Sequence, residues 1–194
     1  LNRYLFYASG SIDMVPTMVA ASAITATLTT LLIGALSDRL GKRKPFIVGG
    51  YIIWGLSIIG FAFLDPAQFA FLNLSTFTTG VLIVTLDCVM TFFGSSANDA
   101  SYNAYVTDNT NTHNRGKVES VLSILPLVSM LIIFGLFNGL TTKTEDSPAR
   151  WDIFFYIFGG ITLLIGVLSI FIIPKDVCTP NKEENYFKNI IYGF

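Results

Sequence analysis

Asp99 is the residue in this chain whose type and place most suggest chemistry. It stands in the run Asn98-Asp99-Ala100-Ser101-Tyr102-Asn103-Ala104-Tyr105-Val106-Thr107-Asp108, which continues a strongly apolar stretch. With the edge of the apolar layer near Asp108, Asp99 lies nine residues deeper, roughly 14 Å along a helix and close to the middle of a bilayer. A carboxyl at that depth is costly, and is therefore a functional candidate. Ser95, Tyr102 and Asn103 recur at helical spacings of three or four on its side. Acid, hydroxyl, phenol and amide together suit binding of a proton or cation and hydrogen bonding to a polyol. Asp87, the second acid of this stretch, sits toward the opposite membrane surface in that register and ranks below Asp99.

Two other groupings carry polar chemistry. Ser22, Thr25 and Thr29 form one hydroxyl stripe, which either lines a solute path or bonds back to carbonyls and neighbouring helices. The string Gly34-Ala35-Leu36-Ser37-Asp38-Arg39-Leu40-Gly41-Lys42-Arg43-Lys44 ends one apolar segment and enters the next. There Gly34 allows close approach of another helix. Asp38 can accept from Arg43 or from free N–H groups at a helix N-terminus, and Gly41 permits a tight turn. Such contacts can latch one conformation shut; the plainer reading is that the basic residues anchor the loop to anionic head groups.

The elements that must position these residues follow from composition. Of 194 residues, 52% are hydrophobic and 13% charged, about half the charge of an ordinary soluble domain. The charges cluster and leave apolar runs of about 20 residues, the length of a membrane-crossing helix. The expected fold is an all-α integral membrane bundle with five spans at about 16–37, 45–64, 72–106, 118–140 and 151–173. Residues 1–15 are expected to be an extracellular segment, too polar and short to span. The third span reads as one long helix, and the fourth tolerates Pro126 as a local kink. Glycines of the second and fifth spans point to close helix packing. Residues 174–194 read as a polar tail or linker in which Phe187, Ile190, Ile191 and Phe194 recur at helical spacing.

Several classes fall away. Net charge is −1 with no basic stripe, so nucleic acid is not an expected partner. Cys88 and Cys178 lie at very different depths and do not suggest a disulfide. His113 is the only histidine, in a polar loop, and neither a metal nor a cofactor is expected. Asn73-Leu74-Ser75 fits a glycan acceptor pattern by chance beside a span. No phosphate loop or hydrolytic triad appears, so an enzyme is not expected.

Sidedness follows from the basic residues. Of the twelve Lys and Arg, nine (Arg39, Lys42, Arg43, Lys44, Arg115, Lys117, Lys175, Lys182 and Lys188) fall on one side, and Arg3, Lys143 and Arg150 fall on the other. The side with nine is expected to be cytoplasmic, with the N-terminus of this chain outside and its C-terminus inside, in a multi-pass cell-membrane protein. A first residue of Leu1 and an external start suggest a preceding helix.

The loop string from Gly34 to Lys44 resembles the loop signature of the major facilitator superfamily: Gly, three residues, Asp, a basic residue, any residue, Gly, then basic residues. The resemblance implies that the loop joins family helices two and three, that the five spans are helices two to six of the N-terminal bundle, and that Gly34, Asp38, Arg39, Gly41, Arg43 and Lys44 gate conformational change. The run from Asp99 to Arg115 looks like helix four and the next loop of the glycoside, pentoside and hexuronide cation symporters. There an acid at the Asp99 position helps bind the coupling ion. Those symporters also carry paired acids on helix two, whereas this chain has Thr25-Ala26-Thr27-Leu28-Thr29-Thr30, which argues against sodium coupling by that route.

The expected function is secondary transport of a small polar solute, a sugar or glycoside, by alternating access with a proton or cation bound at Asp99. Its partners are then the solute, the coupling ion, the lipid bilayer and the remainder of the transporter. The alternative is a truncated or split chain serving as a non-transporting scaffold or sensor, or needing a partner half.

Overall fold

A computed structural model describes residues 1–65, 75–142 and 149–174. The apolar repeat of the tail, Cys178 and the start expected for the third span lie outside these residues. All regular structure among the described residues is helical: α1 (Asn2–Ser9), α2 (Met14–Leu40), α3 (Lys44–Ala62), α4 (Thr76–Gly94), a π-helical segment (Ser95–Tyr102), α5 (Asn103–Asp108), α6 (Arg115–Thr141) and α7 (Trp151–Ile172). Five continuous helices among the described residues are long and apolar enough to cross a membrane, with α4, the π segment and α5 forming one of them from Thr76 to Asp108. The chain is thus an all-α integral membrane protein.

Local sequence sets the helix ends. Ser75 caps α4, its Oγ accepting from the Thr78 N–H at 3.1 Å, which satisfies one of the donors a helix start leaves open. Pro45 occupies the first turn of α3, where its missing N–H costs nothing. Gly41 closes α2 in the left-handed region at φ 60, a conformation a side chain would strain.

The tightest packing joins α3 to α7, and glycine is the reason. A Cβ on Gly55 would lie 2.7 Å from the Leu163 nitrogen, one on Gly159 2.9 Å from the Gly55 oxygen, and one on Gly166 2.9 Å from the Ile52 nitrogen. Without side chains at these points the two backbones meet, as small residues permit in lipid.

Two findings add to the sequence reading. Within the segment 1–15, too short to span, residues 2–9 form α1, and Tyr4 and Leu5 are completely buried. Tyr4 packs against Phe155, Trp151 and Phe61 with ring centroids 4.7, 5.4 and 6.2 Å away, and its hydroxyl donates to the Phe61 carbonyl at 2.8 Å. Aromatic rings supply an apolar body with a polar tip, which lets this short segment bury itself. The third span is continuous but not uniformly α-helical, because Ser95–Tyr102 widens to a π-helix. Helix α6 stands apart: it runs through Pro126 and has no buried residue.

Candidate functional site

The α2–α3 loop is built around Arg43. Its guanidinium pairs with the Asp38 carboxylate in a very short contact, donates to the Ser37 hydroxyl at 2.5 Å and reaches Asp108 at 3.2 Å. Ser37 in turn donates to the Gly34 carbonyl at 3.0 Å. One buried cation therefore ties the end of α2 to the end of α5. Burial opposes the Arg43 charge, but the hydrogen bonds and attraction of Asp38 and then Asp108 outweigh it and raise its pKa above the ordinary arginine value. Lys44 does something else: its ammonium donates to the Ile170 and Ile173 carbonyls at 2.7 and 2.6 Å. Carbonyls at a helix C-terminus lack intrahelical partners, so Lys44 caps α7. Arg39 and Lys42 are exposed. Nothing lies within 4 Å of a Cβ placed on Gly34, so the close helix approach expected there is not made among the described residues.

Deeper in the bundle the polar groups divide into two sets. Asp87 on α4 is buried and accepts a very short hydrogen bond from Ser22 on α2. Thr25 bonds back to the Ala21 carbonyl at 2.8 Å, and Thr29 is buried. The three hydroxyl residues are thus engaged in an acid contact, a backbone bond and packing respectively.

The second set lies in the π segment, about 18 Å farther along the helix from Asp87. Asp99 is exposed, and its Oδ1 accepts from Asn98 Nδ2 at 3.0 Å. Asn98 Oδ1 accepts from the Tyr51 hydroxyl on α3 at 3.2 Å. Asn103, also exposed, donates to the Asp99 backbone carbonyl at 3.2 Å. Tyr102 is half-buried and Ser95 buried. Ser95 is buried while Asp99 is exposed, so the two do not share one open surface. A π segment within an α-helix is rare and frequently marks a functional site. The chemistry available is a carboxylate and amides at an open surface, able to take a proton or to coordinate a hard cation.

Sequence reading missed Asn98, Tyr51, Ser37 and Asp108 as partners. Asn98 adjoins Asp99 and Asp108 marks the helix end, so both were accessible in principle. Tyr51 lies in a glycine-rich apolar run with no local signal at all.

Comparison with known proteins bears on what this geometry serves. The model of the Major Facilitator Superfamily matches residues 4–188. A stretch of 81 residues, 41% of the chain, is 30% identical to a Staphylococcus haemolyticus (strain JCSC1435) protein named as a proline/betaine transporter. The matched stretch spans 17% of that protein's length. No solved structure matches.

Proposed function

The chain belongs to the Major Facilitator Superfamily, and on that premise we propose that it forms helices two to six of the N-terminal bundle of a secondary transporter. It carries a small polar solute by alternating access, with Asp99 binding the coupling proton or cation. The observation that carries this reading is the exposed Asp99 carboxylate in the π segment of a membrane-crossing helix, since an intramembrane acid left open is kept for function. The Arg43 cluster serves as the latch that one conformation closes and the other releases. The basic loop lies in the cytoplasm, the N-terminus of this chain outside, and the remainder of the transporter completes the solute site. The solute class is a sugar or glycoside, on the likeness of the Asp99 to Arg115 run to the glycoside, pentoside and hexuronide cation symporters.

The test uses the complete protein in proteoliposomes with an imposed proton or sodium gradient and labelled glycosides. Asp99→Asn removes gradient-driven accumulation, and Asp38→Ala slows turnover while accumulation survives. Undiminished accumulation in Asp99→Asn would sink the mechanism. The relative named as a proline/betaine transporter favours a second reading, a zwitterionic solute, and labelled proline and glycine betaine in the same assay decide between the two. A protein that moves none of these under any gradient would instead support the scaffold or sensor reading.

A further inference from the structure

The Tyr51, Asn98 and Asp99 side chains form a chain of hydrogen bonds whose direction is open to reversal. In the observed arrangement the Tyr51 hydroxyl donates to Asn98 Oδ1, and Asn98 Nδ2 donates to the Asp99 carboxylate. That polarity fits an ionised acid, which only accepts. A protonated Asp99 becomes a donor and calls for the amide oxygen in place of the amide nitrogen. Turning the Asn98 amide by about 180° meets that demand and presents its N–H to Tyr51. A tyrosine hydroxyl accepts as well as it donates, so it satisfies both polarities with one rotation of its O–H. Phenylalanine would satisfy neither.

We infer that Tyr51 and Asn98 are positioning residues that form a two-polarity relay, through which α3 registers whether the Asp99 carboxyl carries a proton. This deepens the proposed role of Asp99 and rests on it. No covalent bond changes within the relay; the proton reaches Asp99 from the open face, and the amide and hydroxyl only reorient.

The setting makes Tyr51 a fixed reference point. Its ring stacks at a tilt on Trp54 with centroids 5.5 Å apart, and Trp54 fills the space over Gly94, where an added Cβ would come 3.0 Å from the indole. On one side Gly50 brings α3 against Ala97, to which a Cβ would approach within 2.6 Å. On the other side Gly166 of α7 lies where a Cβ would be 3.1 Å from the Tyr51 carbonyl carbon. The donor is held by close approaches at three glycines, Gly50, Gly94 and Gly166, while the π segment that carries the amide and the acid departs from regular α-helical bonding. The titratable neighbours of Tyr51 are Asp99 itself and Tyr102 of the same segment; Arg43 and Asp108 are engaged with each other at the helix ends.

The experiment is carbodiimide modification of carboxyls in the complete protein in liposomes, at one mildly acidic pH, read by mass spectrometry of the Asp99 and Asp87 peptides. The reagent attacks the uncharged carboxyl, so it reports how often Asp99 is protonated, whether or not transport occurs. Asn98→Ala removes the donor to the carboxylate and raises Asp99 modification about fivefold, the equivalent of one ordinary hydrogen bond. Tyr51→Phe lets the amide turn freely and gives a smaller rise, about twofold, with Asp87 unchanged in both. A second readout is the infrared band of the Asn98 amide carbonyl, identified by its loss in Asn98→Ala. It shifts on acidification in the parent protein and stays fixed in Asp99→Asn. Asp99 modification unaffected by both variants overturns the relay, as does an equal rise at Asp87, which would mean general loosening. Failure of the transport mechanism shows separately, as accumulation that survives Asp99→Asn.

Discussion

The Arg43 cluster and the Asp99 cluster are both charged and both join α3 to the crossing helix Thr76–Asp108, the first drawing in the end of α2 as well, and they differ in how completely they are partnered. Arg43 is buried and its guanidinium engages Asp38, Ser37 and Asp108 together. Asp99 is exposed, and among the described residues its carboxylate takes one side-chain hydrogen bond, from Asn98. A charge closed in by its own protein holds the structure together, whereas one left facing outward is available to something that arrives. The contrast in partnering is what the proposed division of roles, a latch at Arg43 and a binding group at Asp99, rests on.

The widest departure from the native protein should come from Arg43→Ala. It leaves two carboxylates without their cation, and the thermal denaturation of the detergent-solubilised protein should report a loss of about 2–3 kcal/mol. Ser22→Ala comes next: it takes the hydroxyl donor from the buried Asp87 and should cost about 1 kcal/mol in the same measurement. Lys44→Gln should cost a few tenths of a kcal/mol, at most about 1, and reveal itself as faster amide hydrogen exchange confined to the last turn of α7. The smallest change in stability belongs to Asp99→Asn, within about 0.5 kcal/mol of the parent. If Asp99→Asn proves as destabilising as Arg43→Ala, the division between latch and binding group collapses. If it is neutral while Arg43→Ala is not, the division sharpens.

The five crossing helices were legible in sequence because runs of apolar residues bounded by charges have few other solutions in lipid. The turn at Gly41 and the pairing of Asp38 with Arg43 were legible too, since both are local and only a few residues separate the partners. What escaped was of two kinds. Contacts across the bundle, such as Tyr51 to Asn98 and Lys44 to the Ile170 carbonyl, join residues 47 and 126 positions apart, and neither end carries a mark of the other. Departures from regular geometry were equally hidden. The π turn at Ser95–Tyr102 has no mark in the sequence, and the helical spacing that grouped Ser95 with Asp99 carries no measure of burial: Ser95 is buried and Asp99 exposed. The burial of Tyr4 was concealed by its polar neighbours Asn2 and Arg3, because the aromatic rings that receive it come from the end of α3 and the start of α7, distant in sequence.

One consequence concerns the attachment of α6. Among the described residues, the ring and hydrogen-bond contacts of α6 with other helices gather at its C-terminal end: Phe137 against Phe158 and Phe154, Asn138 and Thr142 with Arg3, and the Leu140 carbonyl with the Arg150 N–H at 2.7 Å. The residues before Phe137 extend for about 33 Å from that fastening. Mechanically this has the shape of a lever, and a tilt of about 10° about that fastening carries the Arg115 end of α6 through about 6 Å. A rearrangement of a few aromatic rings at one surface would thus be delivered, magnified, at the other.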